Sequence, residues 1–105
     1  MINIKKLLLD SIEVKVAVAR DPQLVRLIDA AGQHVVRALR RGNQILVAGN
    51  GGSAADAQHF AAELSGKFLD ANRRPLPAVA LTTNTSNLTA IGNDFGYEYV
   101  FSRQL

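Results

Sequence analysis

The chain of 105 residues contains no cysteine, which excludes a disulfide framework and a thiolate metal site and fits a reducing compartment. Aromatic residues are scarce at 6%, too few to interleave a basic stripe in the manner of a nucleic-acid surface. The charge imbalance is small as well. Twelve basic against 9 acidic residues leave +3, an excess suited to a phosphorylated small molecule or an acidic surface. Long hydrophobic runs are missing. The N-terminal MINIKKLLLDSIEVK has only three leucines before Asp10 interrupts, too short for a signal-peptide core, and nothing approaches a membrane span. A cytoplasmic protein is expected, binding neither nucleic acid nor membrane. The three prolines and 8 glycines are spread through the chain, so no low-complexity linker stands out. What remains, 48% hydrophobic and 20% charged residues, is an ordinary soluble composition. The length permits one domain with a thin core.

Apolar positions Ile4, Leu8, Ile12, Val16 and Ala19 recur at helical spacing. Asp21-Pro22 then supplies an N-cap and a first helical residue for a second helix. Leu24, Leu27, Ile28, Ala31, Val35 and Leu39 line one face of it, Arg37, Arg40 and Arg41 sit against its C-terminal dipole, and Gly42 is a left-handed cap. The division expected is a helical hairpin over residues 1–42 and an α/β portion over 43–105. The surplus apolar stripe suits a bundle of hairpins in a homo-oligomer. The same pattern would suit a hairpin lying on the sheet of its own subunit.

Gln44–Ala48 and Ala78–Leu81 read as buried parallel strands. A helix is expected from about Ala54 to Leu64, ended by Gly66, and a charged connection over Lys67–Pro77. After the second strand come a short helix over Asn84–Ile91, a turn over Gly92–Gly96 and a last helical stretch over Tyr97–Arg103. Strands alternating with helices predict a parallel α/β sheet, but two strands are too few for a stable one, so the order reads as the first half of a domain.

Gly49-Asn50-Gly51-Gly52 leaves a strand and opens a helix. Glycines allow backbone N–H groups to approach a ligand, and the helix N-terminus favours phosphate or sugar oxygens. Ser53-x-x-Asp56 also matches a capping box with Asp in the Glu position, so Ser53 capping and glycines that merely turn the chain are the plainer alternative. Gly49, Gly51 and Ala54 fit dinucleotide spacing, yet the acidic residue needed after the next strand is replaced by Thr82, Thr83 and Asn84. The P-loop of nucleoside triphosphatases is excluded because no Gly-Lys-Ser/Thr follows. His59 and Glu63, four apart, share a helix face with Asp56 one turn earlier. Such a pair can ligate a metal, share a proton transfer or simply face solvent. Asn93-Asp94, between Gly92 and Gly96, follows the second strand and is expected on the same sheet edge as Asn50–Ser53; a plain turn or cap is the alternative.

VAGNGGSAADAQHFAAELSGKF and the tail PAVALTTNTSNLTAIGNDFGYEYVFSRQL together resemble the phosphoheptose isomerases of the sugar isomerase (SIS) domain superfamily. GNGGS, HFAxEL and GNDFG in that order carry the resemblance, which extends over essentially the whole chain. It implies a flavodoxin-like α/β sandwich around a five-stranded parallel sheet, and a homotetramer built through the N-terminal helices. The implied activity interconverts sedoheptulose 7-phosphate and D-glycero-D-manno-heptose 7-phosphate, a step towards ADP- or GDP-heptose and lipopolysaccharide precursors. Asn50, Gly51, Gly52 and Ser53 would then hold the substrate, Asn93 and Asp94 would contact its hydroxyls, and His59 and Glu63 would be ligands of one Zn2+ per subunit. Glu63 would also act in acid/base catalysis.

The resemblance is to the first half of a chain nearly twice as long, whose second half supplies a phosphate loop, further zinc ligands and the second proton-transfer group. Residues 1–105 alone are therefore expected to bind zinc weakly, with two ligands in place of about three, and not to turn over. A non-catalytic SIS-type protein, such as the bacterial factor that associates with the replication initiator, is the alternative; Glu63 favours the enzyme. A sugar-phosphate sensor would keep the glycine turn and need no base.

Overall fold

The computed structural model describes residues 1–105 and separates into two compact units, Met1–Arg37 and Ala38–Leu105. In the first, helix α1 spans Ile4–Arg20 and is capped by the Asn3 side chain, which accepts from the Lys6 amide at 3.0 Å. Asp21 alone separates it from α2, Pro22–Arg40, whose first turn Asp21 caps through Oδ1 and the amides of Gln23 and Leu24 at 2.8 and 3.2 Å. Near this joint the helices form a shallow apolar notch lined by Val14, Val18, Ala19, Val25 and Ile28. Helix α1 buries no residue, and Ile4, Leu8, Ile12, Leu27 and Ile28 are exposed. No helix of the chain is long and apolar enough to cross a membrane.

In the second unit α2 ends as the sequence predicts. Gly42 has φ 82°, its amide donates to Leu39 and the amide of Asn43 reaches Ala38, the two bonds of a Schellman cap. Strand β1, Ile45–Val47, pairs in parallel with β2, Ala78–Ala80, in the register Ile45–Ala78, Leu46–Val79 and Val47–Ala80. Helix α3, Gly52–Ser65, connects them. Its small residues Ala57 and Ala61 bury against Ala80, with Val47 and Ala78 completing the cluster. Alanines let a helix lie close to a sheet, at the expense of apolar area per residue, so the core is thin.

Helix α3 is fastened to β2 at both ends. The Thr82 hydroxyl donates to the Ala54 carbonyl at 3.5 Å and accepts from the Gln58 side chain at 3.4 Å. At the far end Ser65 Oγ donates to the Ala78 carbonyl at 3.4 Å and the Leu76 amide to Leu64 at 3.0 Å.

Two expected boundaries are corrected. Helix α3 begins at Gly52, with Gly51 as its N-cap at φ 56°, ψ −122° and no side-chain cap bond. Ser53 therefore lies inside the first turn, and the capping-box alternative that its spacing offered is not formed. Helix α4 spans Thr85–Phe95, capped by Asn84, and does not stop at Ile91. The buried Val100 side chain packs 3.7 Å from where a Cβ on Gly92 would lie, so tertiary packing lies over a residue that costs a helix interior roughly 1 kcal/mol. The helix stops only at Gly96, φ 103°. The remaining residues form two 3₁₀ turns, Tyr97–Tyr99 and Ser102–Gln104, instead of one helical stretch.

Gly49 is fixed by close approach. A Cβ there would lie 2.5 Å from the Ser53 carbonyl oxygen and 2.7 Å from Ser53 Cβ. Gly49→Ala is expected to destabilise the fold by about 1–3 kcal/mol through overpacking against backbone, read as a lower urea midpoint with an unchanged slope.

Candidate active site

The alanine face of α3 decides what the opposite face presents. With Ala57 and Ala61 turned to the sheet, His59 and Glu63 project away from it and Phe60 lies at its flank, beside Val47 and Ala48. They line a groove of about 500 Å³ with Asp56, Leu64, Phe68 and Arg73. His59 Nε2 lies 3.5 Å from Glu63 Oε1, with the Glu63 side chain 35% exposed and that of His59 79% exposed. The contact is an ion pair only when the imidazole is protonated. At this exposure its strength is modest, so the arrangement pre-positions a carboxylate beside a proton carrier without locking it. A smaller depression lined by Val47, Ser53, Asp56 and Phe60 shares Asp56 and Phe60 with the groove, which brings Ser53 and the His59–Glu63 pair to adjoining surfaces.

At the start of α3 the Ser53 amide donates to the Asn50 carbonyl at 3.0 Å and the Ala54 amide to Gly51 at 3.1 Å. The amides of Gly51 and Gly52 donate to no acceptor within the chain and stand at a helix N-terminus, where partial positive charge favours an anionic or strongly polar oxygen. The Ser53 hydroxyl is likewise uncommitted within the chain. Thr82, where a dinucleotide site needs a carboxylate, is spent on α3.

Asn93 and Asp94 do not sit in the loop expected for them. They occupy the last turn of α4, with Asn93 Nδ2 donating to Asp94 Oδ1 at 2.8 Å, and line neither depression. The bond that joins this region to the glycine turn comes instead from Tyr97, whose hydroxyl donates to Asn50 Oδ1 at 2.5 Å.

For a metal, His59 and Glu63 are two donors, and no group of three His, Cys, Asp or Glu side chains is assembled to hold an ion. Catalytic zinc sites use three protein ligands. The residues present are thus a partial donor set and do not by themselves fit a zinc ion.

The SIS domain family matches residues 14–105. The chain belongs to the SIS domain family. Its SIS fold is represented by the N-terminal portion of the α/β domain, contributing two parallel strands. The chain is 54% identical over 102 residues to the phosphoheptose isomerase of Aneurinibacillus thermoaerophilus, covering 97% of this chain and 51% of that protein. It is 54% identical over 103 residues to the phosphoheptose isomerase of Aquifex aeolicus, covering 98% and 52%. Among solved structures, the phosphoheptose isomerase of Francisella tularensis aligns with a TM-score of 0.86 at 36% identity, over 96% of this chain and 51% of that one. The Neisseria gonorrhoeae enzyme aligns at 0.77 and 44% identity, over 96% and 50%. The chain spans about half the length of the relatives it matches.

Sequence reasoning missed Arg73, whose pairing with Arg74 reads as a plain basic doublet. Its guanidinium donates to the carbonyls of Glu63 at 2.8 Å, Leu64 at 2.9 Å, Arg74 at 2.8 Å and Gly66 at 3.4 Å. These include carbonyls that the end of α3 leaves without intrahelical partners, so Arg73 closes the C-terminus of the SIS helix that carries Glu63. Phe60 and Phe68, which wall the groove, were also missed; an aromatic next to His59 and another just past Gly66 were the available signals. Arg73→Ala is expected to lose about 1–3 kcal/mol of stability and to raise amide exchange at Gly66 and Leu76. Arg73→Lys should recover only part of this, because a point charge cannot serve several carbonyls at once.

Proposed function

We propose that residues 1–105 form the N-terminal part of a phosphoheptose isomerase that interconverts sedoheptulose 7-phosphate and D-glycero-D-manno-heptose 7-phosphate. The enzyme would act in the cytoplasm, towards nucleotide-activated heptose and lipopolysaccharide precursors. The observation that carries this reading is a half-buried carboxylate, Glu63, held beside His59 in a groove on the helix that opens at a glycine turn. High identity to several phosphoheptose isomerases supports it.

The chemistry asked of these residues is the transfer of one proton between adjacent carbons. Glu63 as base removes the proton from the hydroxyl-bearing carbon beside the carbonyl, and the carbonyl π electrons move to oxygen to give an enediolate. The proton held on the partly exposed carboxylate exchanges with solvent, and delivery of a proton to the neighbouring carbon, with oxygen protonation exchanged between the two hydroxyls, completes an aldose–ketose conversion in which nothing is gained or lost. His59 Nε2 lies 3.5 Å from the carboxylate and, when it holds no metal, can carry a proton for it.

The Gly51 and Gly52 amides, Asn50 and the Ser53 hydroxyl would hold sugar oxygens, and Asn93 and Asp94 would reach hydroxyls from the end of α4. Glu63 lies eleven residues beyond Gly52, roughly 16 Å along the axis at 1.5 Å per residue. The turn and the carboxylate can therefore meet one sugar phosphate only at its two ends, or through a neighbouring copy. The exposed apolar side chains of α1 and α2 support assembly through these helices into a homotetramer. Zinc would take His59 and Glu63 as a partial donor set completed by other residues, and the proton transfer described here is not routed through it.

Glu63 also favours the enzyme over a non-catalytic SIS protein that docks on other proteins, since such a scaffold needs no carboxylate in this groove. In the isomerase of full family length, Glu63→Gln is expected to lower kcat by about 10²–10⁴ while leaving the melting temperature near wild type. Retention of wild-type turnover would remove Glu63 from the chemistry.

A further inference from the structure

Tyr97 is 63% exposed, so burial does not explain the position of its phenol. What it does is reach across 47 residues of sequence to donate to Asn50 Oδ1 at 2.5 Å. No other side-chain hydrogen bond joins the residues after α4 to the glycine turn. Its approach is set by a left-handed backbone. Gly96 has φ 103°, and a Cβ there would lie 2.6 Å from a Glu98 carboxylate oxygen. The base beneath it is firm. The Arg103 guanidinium lies 3.7 Å over the Phe95 ring, and Gln104 Nε2 donates to the carbonyls of Leu81 at 3.0 Å and Val100 at 2.7 Å. Gln104 Oε1 accepts from Asn87 at 3.3 Å, so the segment carrying Tyr97 is tied to both α4 and the end of β2.

A carboxamide has one acceptor oxygen and one amino group with two donors. With the oxygen of Asn50 taken by the phenol, its Nδ2 is the end left for a ligand, next in sequence to the unpartnered amides of Gly51 and Gly52. That is the polarity required by the acceptor-only oxygens of a sugar phosphate, its carbonyl and phosphate oxygens. An Asn50 free to turn about its last torsion would offer its oxygen to them part of the time.

We propose that Tyr97 is a positioning residue, resting on the isomerase reading above: it fixes the Asn50 carboxamide so that the glycine turn presents donors only to the sugar phosphate. Tyr97→Phe removes one exposed hydroxyl and leaves the ring in place. In the isomerase of full family length it should weaken calorimetric binding of sedoheptulose 7-phosphate and raise KM, each about two- to tenfold, the range of one modest hydrogen bond. kcat and the melting temperature should stay at wild-type values. An unchanged Kd and KM in a wild type that binds the sugar would overturn the role of Tyr97 alone. So would a loss confined to kcat, or a KM rise accompanied by a lowered melting temperature, since these assign the bond to chemistry or to folding. A wild type that does not bind sedoheptulose 7-phosphate would overturn the isomerase reading and this proposal together, whereas inactivity of Glu63→Gln with unchanged Tyr97→Phe would separate the two.

Discussion

The end of β1 and the first turn of α3 lie too close for any side chain at residue 49. A Cβ at Gly49 would sit 2.5 Å from backbone of Ser53. That contact fixes the direction in which α3 leaves the strand, and the rest of the second unit follows from it. Once the helix is brought down on the sheet, only small residues fit beneath it, hence Ala57, Ala61 and Ala80 as the core cluster. With those alanines inside, helical periodicity sends His59 and Glu63 outward. The same turn that brings the helix close leaves the amides of Gly51 and Gly52 without an acceptor in the chain.

One helix therefore carries two chemically different ends. Its N-terminus offers donors and partial positive charge; its last turns offer a carboxylate and an imidazole. Each end is held by a residue distant in sequence. Tyr97 takes the acceptor of Asn50 at the first, and Arg73 takes the carbonyls of Glu63 and Leu64 at the second. Between them Thr82 and Ser65 bind the helix to β2. The burial in this core is slight for the length of the chain, so much of the placement rests on hydrogen bonds to helix-terminal groups that would otherwise lack partners.

Most of the framework was legible in the residue pattern. Asp21-Pro22 and Gly42 mark their helix ends by local chemistry that needs no tertiary context, and both act as read. The strands were legible as apolar runs closed by Gly49 and by Thr82-Thr83. The misread boundaries have a common cause. Gly92 reads locally as a break, but Val100 packs over it from eight residues away. Ser53 reads locally as a cap, but the approach of Gly49 starts the helix at Gly52. His59 and Glu63 could be placed on one face from their spacing. Their tethers could not, because nothing near Arg73 or Tyr97 in sequence names a partner ten or 47 residues distant.

On the isomerase reading, the groove on α3 moves a proton and does not merely hold a sugar. This is tested most directly by running the isomerisation of sedoheptulose 7-phosphate with the full-length family enzyme in deuterium oxide and following the carbon that receives hydrogen. Transfer through an enediolate predicts solvent deuterium at that carbon in the aldose product. Complete retention of the substrate's own hydrogen there, at every stage of conversion, would contradict proton transfer through this solvent-open groove.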